Sequence, residues 1–518
     1  MENTTGPNPN ALWRLIMVFA CVATIIGLIA WKTTEGKRSD VQKTAEVLAT
    51  SDAKKFDRTV EIWGDEWLGY MVFSSKMFQD ELAKSNAQAR YTIVPDFQKR
   101  VEGLANSQCD LACLTIDSWI SNGKSQDYPG AILFVIDESY GGDVILGGPK
   151  IHNLDDLKNP NFKGGFVGNS PSEFLLKAGA VHFQMDNITG NIRKWRRDNI
   201  DEVYQSFQKQ EIDFAVLWEP LASKAQQDIP NTHLLLDTTQ AAGIIVDVAV
   251  ASRKILRNER PLVNGIAQAY FKALHHYLNR PPEMLRLAAS FGKTKEGDAK
   301  KMLGGIAFTS LQNNRETWFG TTSTSTPMIV EAINRITDIL ITSGDLTADP
   351  LNHNPYTILN SQYIATLKGD IEDLTIQTGR PTRSFNVLSD SQWEKLAASP
   401  IGTLIEEPIT FQSGTAQLSD EAQELLDKAA RRTIHYPRYR IIVEAGVSPG
   451  DNPEDDLKLS KERADAVRNW LLSTAKLEEN RVWGHGLGSG QAPKRLPAES
   501  APAWSRRCRF ARLILVSD

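Results

Sequence analysis

Trp218 and Glu219 put an aromatic face beside a charge at a point where the chain has to turn. They end the segment EIDFAVLWEPL, in which Phe214 to Trp218 is apolar and β-prone and reads as a buried strand; the acid and the proline that follow cannot continue a ladder. In open α/β sheets ligands bind outside the carboxyl ends of strands, so a ligand here would meet an indole face and a carboxylate. The same pair also fits a core tryptophan beside a solvated glutamate. Other strand ends repeat the pattern. Trp63, Gly64, Asp65 and Trp67 follow one apolar run, Thr115, Asp117 and Ser118 a second, and Asp137 and Glu138 a third. Ser170, Pro171 and Ser172 precede Glu173 and the apolar FLL, which marks a helix start whose free N–H groups suit an anion. Taken singly these are turn and capping residues; converging on one sheet edge they describe a cleft.

The residue types narrow the ligand. A bare anion would call for Arg or Lys beside the helix start, yet the edges supply Asp65, Asp117, Asp137, Glu138 and Glu219. That set suits an amine or a zwitterion, since an ammonium also lies well over a tryptophan face; the helix start keeps a small anion open. No nucleophile with an adjacent base, phosphate loop, GxGxxG or metal-ligand spacing stands out, so neither catalysis nor a cofactor or metal is expected. His275 and His276 fall in FKALHHYLN, an amphipathic helical pattern that places them near the surface. With 58 basic and 63 acidic residues and a net charge of −5, no basic field argues for nucleic acid.

The elements that must position these residues follow from length and pattern. At 518 residues, 41% of them hydrophobic, the chain is long enough for about three domains. Leu15 to Trp31 carries no charge and would reach about 26 Å as a helix, with Trp13 and Trp31 as interfacial anchors. A retained signal anchor is expected there rather than a cleaved signal peptide, because no small-x-small site follows. Arg14 before the span and Lys32, Lys37 and Arg38 after it would by themselves place the bulk of the chain in the cytoplasm. Residues 33–54 read as a polar stalk. From there, strands expected at Thr59–Ile62, Tyr91–Val94, Asp110–Leu114, Ala131–Ile136 and Gly165–Val167 alternate with helical patterns, which argues a parallel, doubly wound α/β fold. Cys109 and Cys113, in DLACL, would lie about 13 Å apart along a strand, too far for a bridge, and read as buried thiols.

In order, VIDESYGGDVIL, IHNLDDLK, GNSPSEFLL, EIDFAVLWEPL and LLDTTQAAGIIVDVAVAS resemble the periplasmic substrate-binding proteins of ABC importers for nitrate, sulfonates and taurine, with their thiamine-pyrimidine precursor relatives. The resemblance spans about Lys55 to Gly369 and includes MLGGIAFTSLQNNRETWFG. It implies two α/β lobes joined by crossover strands, a ligand between them and closure on binding. Carried onto this sequence, the ligand-binding candidates are Trp63, Trp67, Thr115, Asp117, Glu138, Ser170, Ser172, Trp218 and Glu219. Enzymatic relatives use His- and Cys-rich motifs, which are not found here.

Residues 370–387 read as a linker, and a second pattern occupies 388–518. ITFQSGTAQLSDEA, LSKERADAVRNWL, VWGHGLGSGQAP and WSRRCRFARLIL resemble the OmpA-like peptidoglycan-associating domain. Ser419 is expected to cap a helix. The family holds a diaminopimelate-type peptide with an Asp after its second strand and the Arg of its LSxxRA helix. Arg463 supplies the Arg, while Ser448 stands where the Asp belongs; Asp451, Asp455 or Asp456 in the next loop are possible replacements.

Both resembled domains are periplasmic, which outweighs the charge bias around the span. The expectation is a single-pass bacterial inner-membrane protein with residues 1–32 as tail and anchor, whose bulk binds or senses a small molecule (amine, zwitterion or small anion) and associates with peptidoglycan, envelope or transporter partners. The alternative is a cell-envelope scaffold whose binding fold has lost its ligand.

Overall fold

A computed structural model of the chain describes residues 56–517, apart from 242, 322–325, 368–384, 405–408, 410, 412–413 and 434–435. From Thr59 onward the chain forms one compact unit. Its first strands are β1 (Arg58–Gly64), β2 (Ala87–Ile93), β3 (Leu111–Thr115) and β4 (Gly130–Ser139). Every residue of β3 and β4 is buried, as a strand covered on both faces requires, and this accounts for their unbroken apolar runs.

After Ser139 the chain leaves this sheet and builds a second from β5 (Asp143–Gly147), β6 (Gly164–Val167), β7 (Arg196–Arg197), β8 (Phe214–Trp218) and β9 (His233–Asp237). It then returns as β10 (Val246–Ser252), inserted between β3 and β4, and β11 (Ile306–Phe308) completes the edge. The spatial orders are β11-β4-β10-β3-β1-β2 and β7-β6-β8-β5-β9. Two sheets that exchange the chain at two crossings make a two-lobed fold. The crossings are tied to each other, Ser139 N donating to Ile245 O (3.2 Å) and Thr238 N to Asp143 O (3.1 Å).

Strand direction departs from the parallel sheet expected. β1 and β3 are parallel, as are β6 and β8, but β10 runs antiparallel to both β3 and β4, and β5 antiparallel to both β8 and β9. The crossings are the physical reason: the strands that enter from the other lobe arrive reversed, and an apolar run reports burial on two faces without reporting direction.

The third sheet is formed by β12 (Gly402–Thr403), β13 (Arg440–Ala445), β14 (Val482–Gly486) and β15 (Ala511–Val516), in the order β12-β15-β13-β14. The helix Asp420–Thr433 starts where expected, Ser419 Oγ accepting from Ala422 N (3.2 Å). The helix Pro453–Ser473 buries Ala464, Val467 and Leu471. From the helix Asp390–Ala397, Trp393 packs with Ile442, Ile514 and Val516 and stacks on Trp483.

This domain is joined to the second lobe and to both crossings. Leu154 N donates to Ile401 O (2.9 Å), Thr403 Oγ1 to Asp155 Oδ2 (2.9 Å), and His182 Nδ1 lies 2.8 Å from Tyr436 OH. Arg438 donates to Tyr140 OH in the first crossing (2.8 Å), and Tyr439 OH to Gln240 in the second.

The expected anchor at Leu15–Trp31, the stalk at 33–54 and most of the 370–387 linker lie outside the described residues. Among the described residues no helix is long and apolar enough to cross a membrane.

Candidate binding cleft and arginine pocket

Strand register builds the cleft. On β4 and β10, Asp137 lies opposite Asp247, and on β3, Thr115 lies opposite the same Asp247. The row Asp137, Asp247, Thr115 therefore crosses three strands at the edge where the chain passes to the other lobe. Asp137 is wholly buried and Asp247 only 3% exposed. Trp67 Nε1 donates to Asp137 Oδ1 (3.2 Å), and the Tyr70 hydroxyl donates to Asp247. Burial pushes both acids up, and the charge of Asp137 pushes Asp247 further.

Two more acids join from neighbouring elements. Burial pushes Asp143, at the start of β5, up to about 7, against a hydrogen bond from Ser139 Oγ (2.7 Å). Burial pushes Asp117 up to about 6 in the first turn of the helix Ile116–Gly123, which Thr115 and Ser118 cap. Asp65, by contrast, is neutralised: Arg100 reaches it at 2.5 Å while also donating to the carbonyls of Val94 (2.6 Å) and Cys113 (2.8 Å).

The other expected cleft residues divide. Trp218 ends β8 half-buried, opposite Asp143 in register. Ser172 is fully buried and its Oγ has no partner. Trp63 instead packs on the helix Phe97–Ala105, so closely that a Cβ on Gly103 would lie 2.3 Å from its ring. Glu138 is buried next to Asp137 on β4, and strand alternation turns it to the opposite face. Ser170 Oγ is spent on Val167 O (2.7 Å). Both oxygens of Glu219 are taken by Ser223, from N at 3.1 Å and Oγ at 2.6 Å, so this carboxylate closes the first turn of the helix Leu221–Asp228. The helix start at Pro171 already has its anion. Glu173 accepts from Asn169 N (2.8 Å) and pairs with Arg196 and Lys177, each at 2.6 Å; burial opposes its charge, but these partners hold it below the usual range.

Asp247 and Asp143 were not singled out from the sequence. Each is a lone acid in an apolar strand, VDVAVAS and DVILG, and that isolation is the signal, because a carboxyl has no reason to enter a buried strand unless something will meet it.

In the second domain Arg463 is 1% exposed. Its Nε donates to Thr415 O (3.0 Å), its guanidinium lies 5.0 Å from the Phe411 ring centre, and Nη1 has no partner. Burial and then the charge of Arg509 lower its pKa. Earlier on the same buried helix face, Ser460 Oγ accepts from Gly488 N (2.8 Å) and Asp456 Oδ2 from Gly450 N (3.0 Å). Asp455 accepts from Asn452 Nδ2 (3.0 Å). Ser448, just beyond β13, donates to Ser505 O (2.9 Å).

Residues 410–502 match the model of the OmpA family, and this part of the chain is an OmpA-family domain. No curated protein sequence matches the chain. Among solved structures, similarity is found to the periplasmic aliphatic sulphonate binding protein of Escherichia coli, at 14% identity over 64% of this chain and 97% of that one, TM-score 0.46. The ligand binding component of an ABC-type import system from Staphylococcus aureus, with zinc bound, gives 12%, 60%, 99% and 0.44 on the same measures. A periplasmic sulfonate-binding protein of Methylobacillus flagellatus gives 13%, 61%, 94% and 0.46. The two-lobed architecture itself rests on this chain's own strand order and its two crossings.

Proposed function

We propose that the chain is a non-enzymatic solute-binding or sensing protein of the bacterial envelope, divided into an anchor (1–32), a stalk (33–54), a solute-binding domain (55–369), a linker (370–387) and a wall-associating domain (388–518). The anchor would hold it in the inner membrane, with the remainder in the periplasm beside transporter or envelope partners. The solute sits between the lobes against Trp67, Thr115, Asp117 and Trp218, and the peptide carboxylate of peptidoglycan meets Arg463. The observation that carries the reading is the row of buried polar side chains at the double crossing, where hinge motion would open and close the site.

The test is to equilibrate the full-length protein with a metabolite extract, remove free solute, denature it and identify by mass spectrometry what is released. A defined small molecule in near-stoichiometric amount is expected. Recovery of none contradicts solute binding. Sedimentation with purified peptidoglycan tests the second domain: the wild-type protein is expected to co-sediment, and its failure to do so would contradict the wall-associating reading.

A further inference from the structure

We infer, resting on the solute-binding reading above, that the carboxyl pair Asp137–Asp247 is the recognition point of the cleft and that its ligand is a small organic cation carrying a primary ammonium or guanidinium group. The argument starts from charge. Asp117, Asp137, Asp143 and Asp247 are each less than a tenth exposed and none has an ion-pair partner among the described residues. The two nearby cations are both committed, Arg100 to Asp65 (2.5 Å) and Lys177 to Glu173 (2.6 Å) and Asp345 (2.9 Å). Carboxyls buried without a counter-charge cost stability, and a fold has no need to cluster them.

A second observation is independent of charge. Asp117 Oδ1, Asp137 Oδ2 and Ser172 Oγ are buried acceptors without a hydrogen-bond partner. They come from both lobes, and each would accept from a donor that reached it. An ammonium has three donors and a guanidinium five. A sulfonate has no donor to offer these acceptors.

The walls fit an organic cation. Trp67 is fixed by its bond to Asp137 and lies so close to Gly142 that a Cβ there would be 2.8 Å from the ring, so it spans from the first lobe to the crossing. Its face offers a cation–π surface beside the carboxyls. Opposite Asp143, Trp218 offers a second from the other lobe. On binding, the cation favours the ionised carboxylates, and a carboxyl proton held by the pair leaves to solvent. The titratable groups that act on the pair are Asp65, Tyr70, Cys113, Asp143 and Tyr270, and burial pushes Asp143 itself up to about 7.

The experiment uses full-length protein and probes of one charge type each: n-butylamine, agmatine, butanesulfonate and, as a zwitterion, taurine. Agmatine or n-butylamine should raise the unfolding temperature and butanesulfonate should not. Calorimetry in two buffers of different ionisation enthalpy should show proton release on binding, a readout that needs no variant. Asp137→Asn and Asp247→Asn should each weaken the amine about tenfold or more. If either variant fails to fold, Trp67→Phe, which deletes the donor to Asp137 and keeps a ring, should still change the number of protons released. Stabilisation by butanesulfonate alone, or by none of the probes, overturns the cation inference. The metabolite-release experiment then decides separately whether the cleft binds any solute at all.

Discussion

Buried charge is handled in opposite ways in the second domain's arginines and in the row of acids at the crossings. The second domain buries arginines and gives two of them backbone partners: Arg481 donates to the carbonyls of Tyr439 (2.9 Å), Thr433 (3.0 Å) and Tyr436 (2.8 Å), and Arg440 donates to Asn480 O with its guanidinium over Phe385 and Trp393. The cleft buries acids without counter-charges, and burial pushes their pKa values up. A guanidinium satisfied by carbonyls belongs to the fold, because removing it strands acceptors. A carboxyl kept protonated by burial is poised to give its proton up to a cation. Arg463 lies between the two cases, with one nitrogen bound to Thr415 and another unpartnered.

The sharpest break in that comparison should come from Arg481. Arg481→Ala should cost about 3 kcal/mol or more, as three buried carbonyls lose their donor, and Arg463→Ala only about 1 kcal/mol in chemical denaturation. Arg463→Ala should nevertheless abolish sedimentation with peptidoglycan. Equal losses of stability would erase the distinction between a fold arginine and a ligand arginine.

The cleft acids predict a pH dependence of stated sign. Asp143 is raised from 3.8 to about 7, so the folded state holds a proton that the unfolded chain has released. The stabilising effect is fully present below about pH 4 and is lost as pH rises through about 7, by an amount on the order of a few kcal/mol. Asp143→Asn should flatten the pH profile of thermal unfolding and raise stability on its alkaline side. A wild-type profile that rises between those limits would contradict the burial of an unpaired carboxyl.

Smaller effects refine the assignments. Ser448→Asp should strengthen wall binding by a few-fold, since it adds a carboxylate beyond β13 at the position the resemblance to OmpA-like domains assigns to an Asp, and Ser505 Oγ, 2.7 Å from Ser448 Oγ, can donate to it. Glu219→Gln should change ligand affinity little in a calorimetric titration, because Ser223 already occupies both of its oxygens. A loss of tenfold or more would put Glu219 back among the ligand contacts.

The legible part of the site was what local sequence controls. β8 ends at Trp218, the helix start at Asp420 follows from its Ser419 cap, and that at Pro171 from a proline at the first helical position. What escaped depends on pairing across long distances. That Asp247 faces Asp137 follows from β10 entering between β3 and β4 after a whole lobe has been built, and no periodicity within VDVAVAS encodes that register. Trp63 misled for a related reason: its place at a strand end suggested a ligand, but which face of β1 it occupies is set by its packing on Gly103. Similarly, the helix start at Ser170 reads as an anion site until Glu173 is seen to fill it.

The most direct test of the account is the identity of the solute released from wild type and from Asp137→Asn after both have been equilibrated with the same metabolite extract. The account predicts that wild type retains a small molecule positively charged at neutral pH, with an amine or guanidine group, and that the variant loses it while keeping its unfolding transition. Retention of an anion by both proteins in equal amount, or of nothing by either, would contradict it.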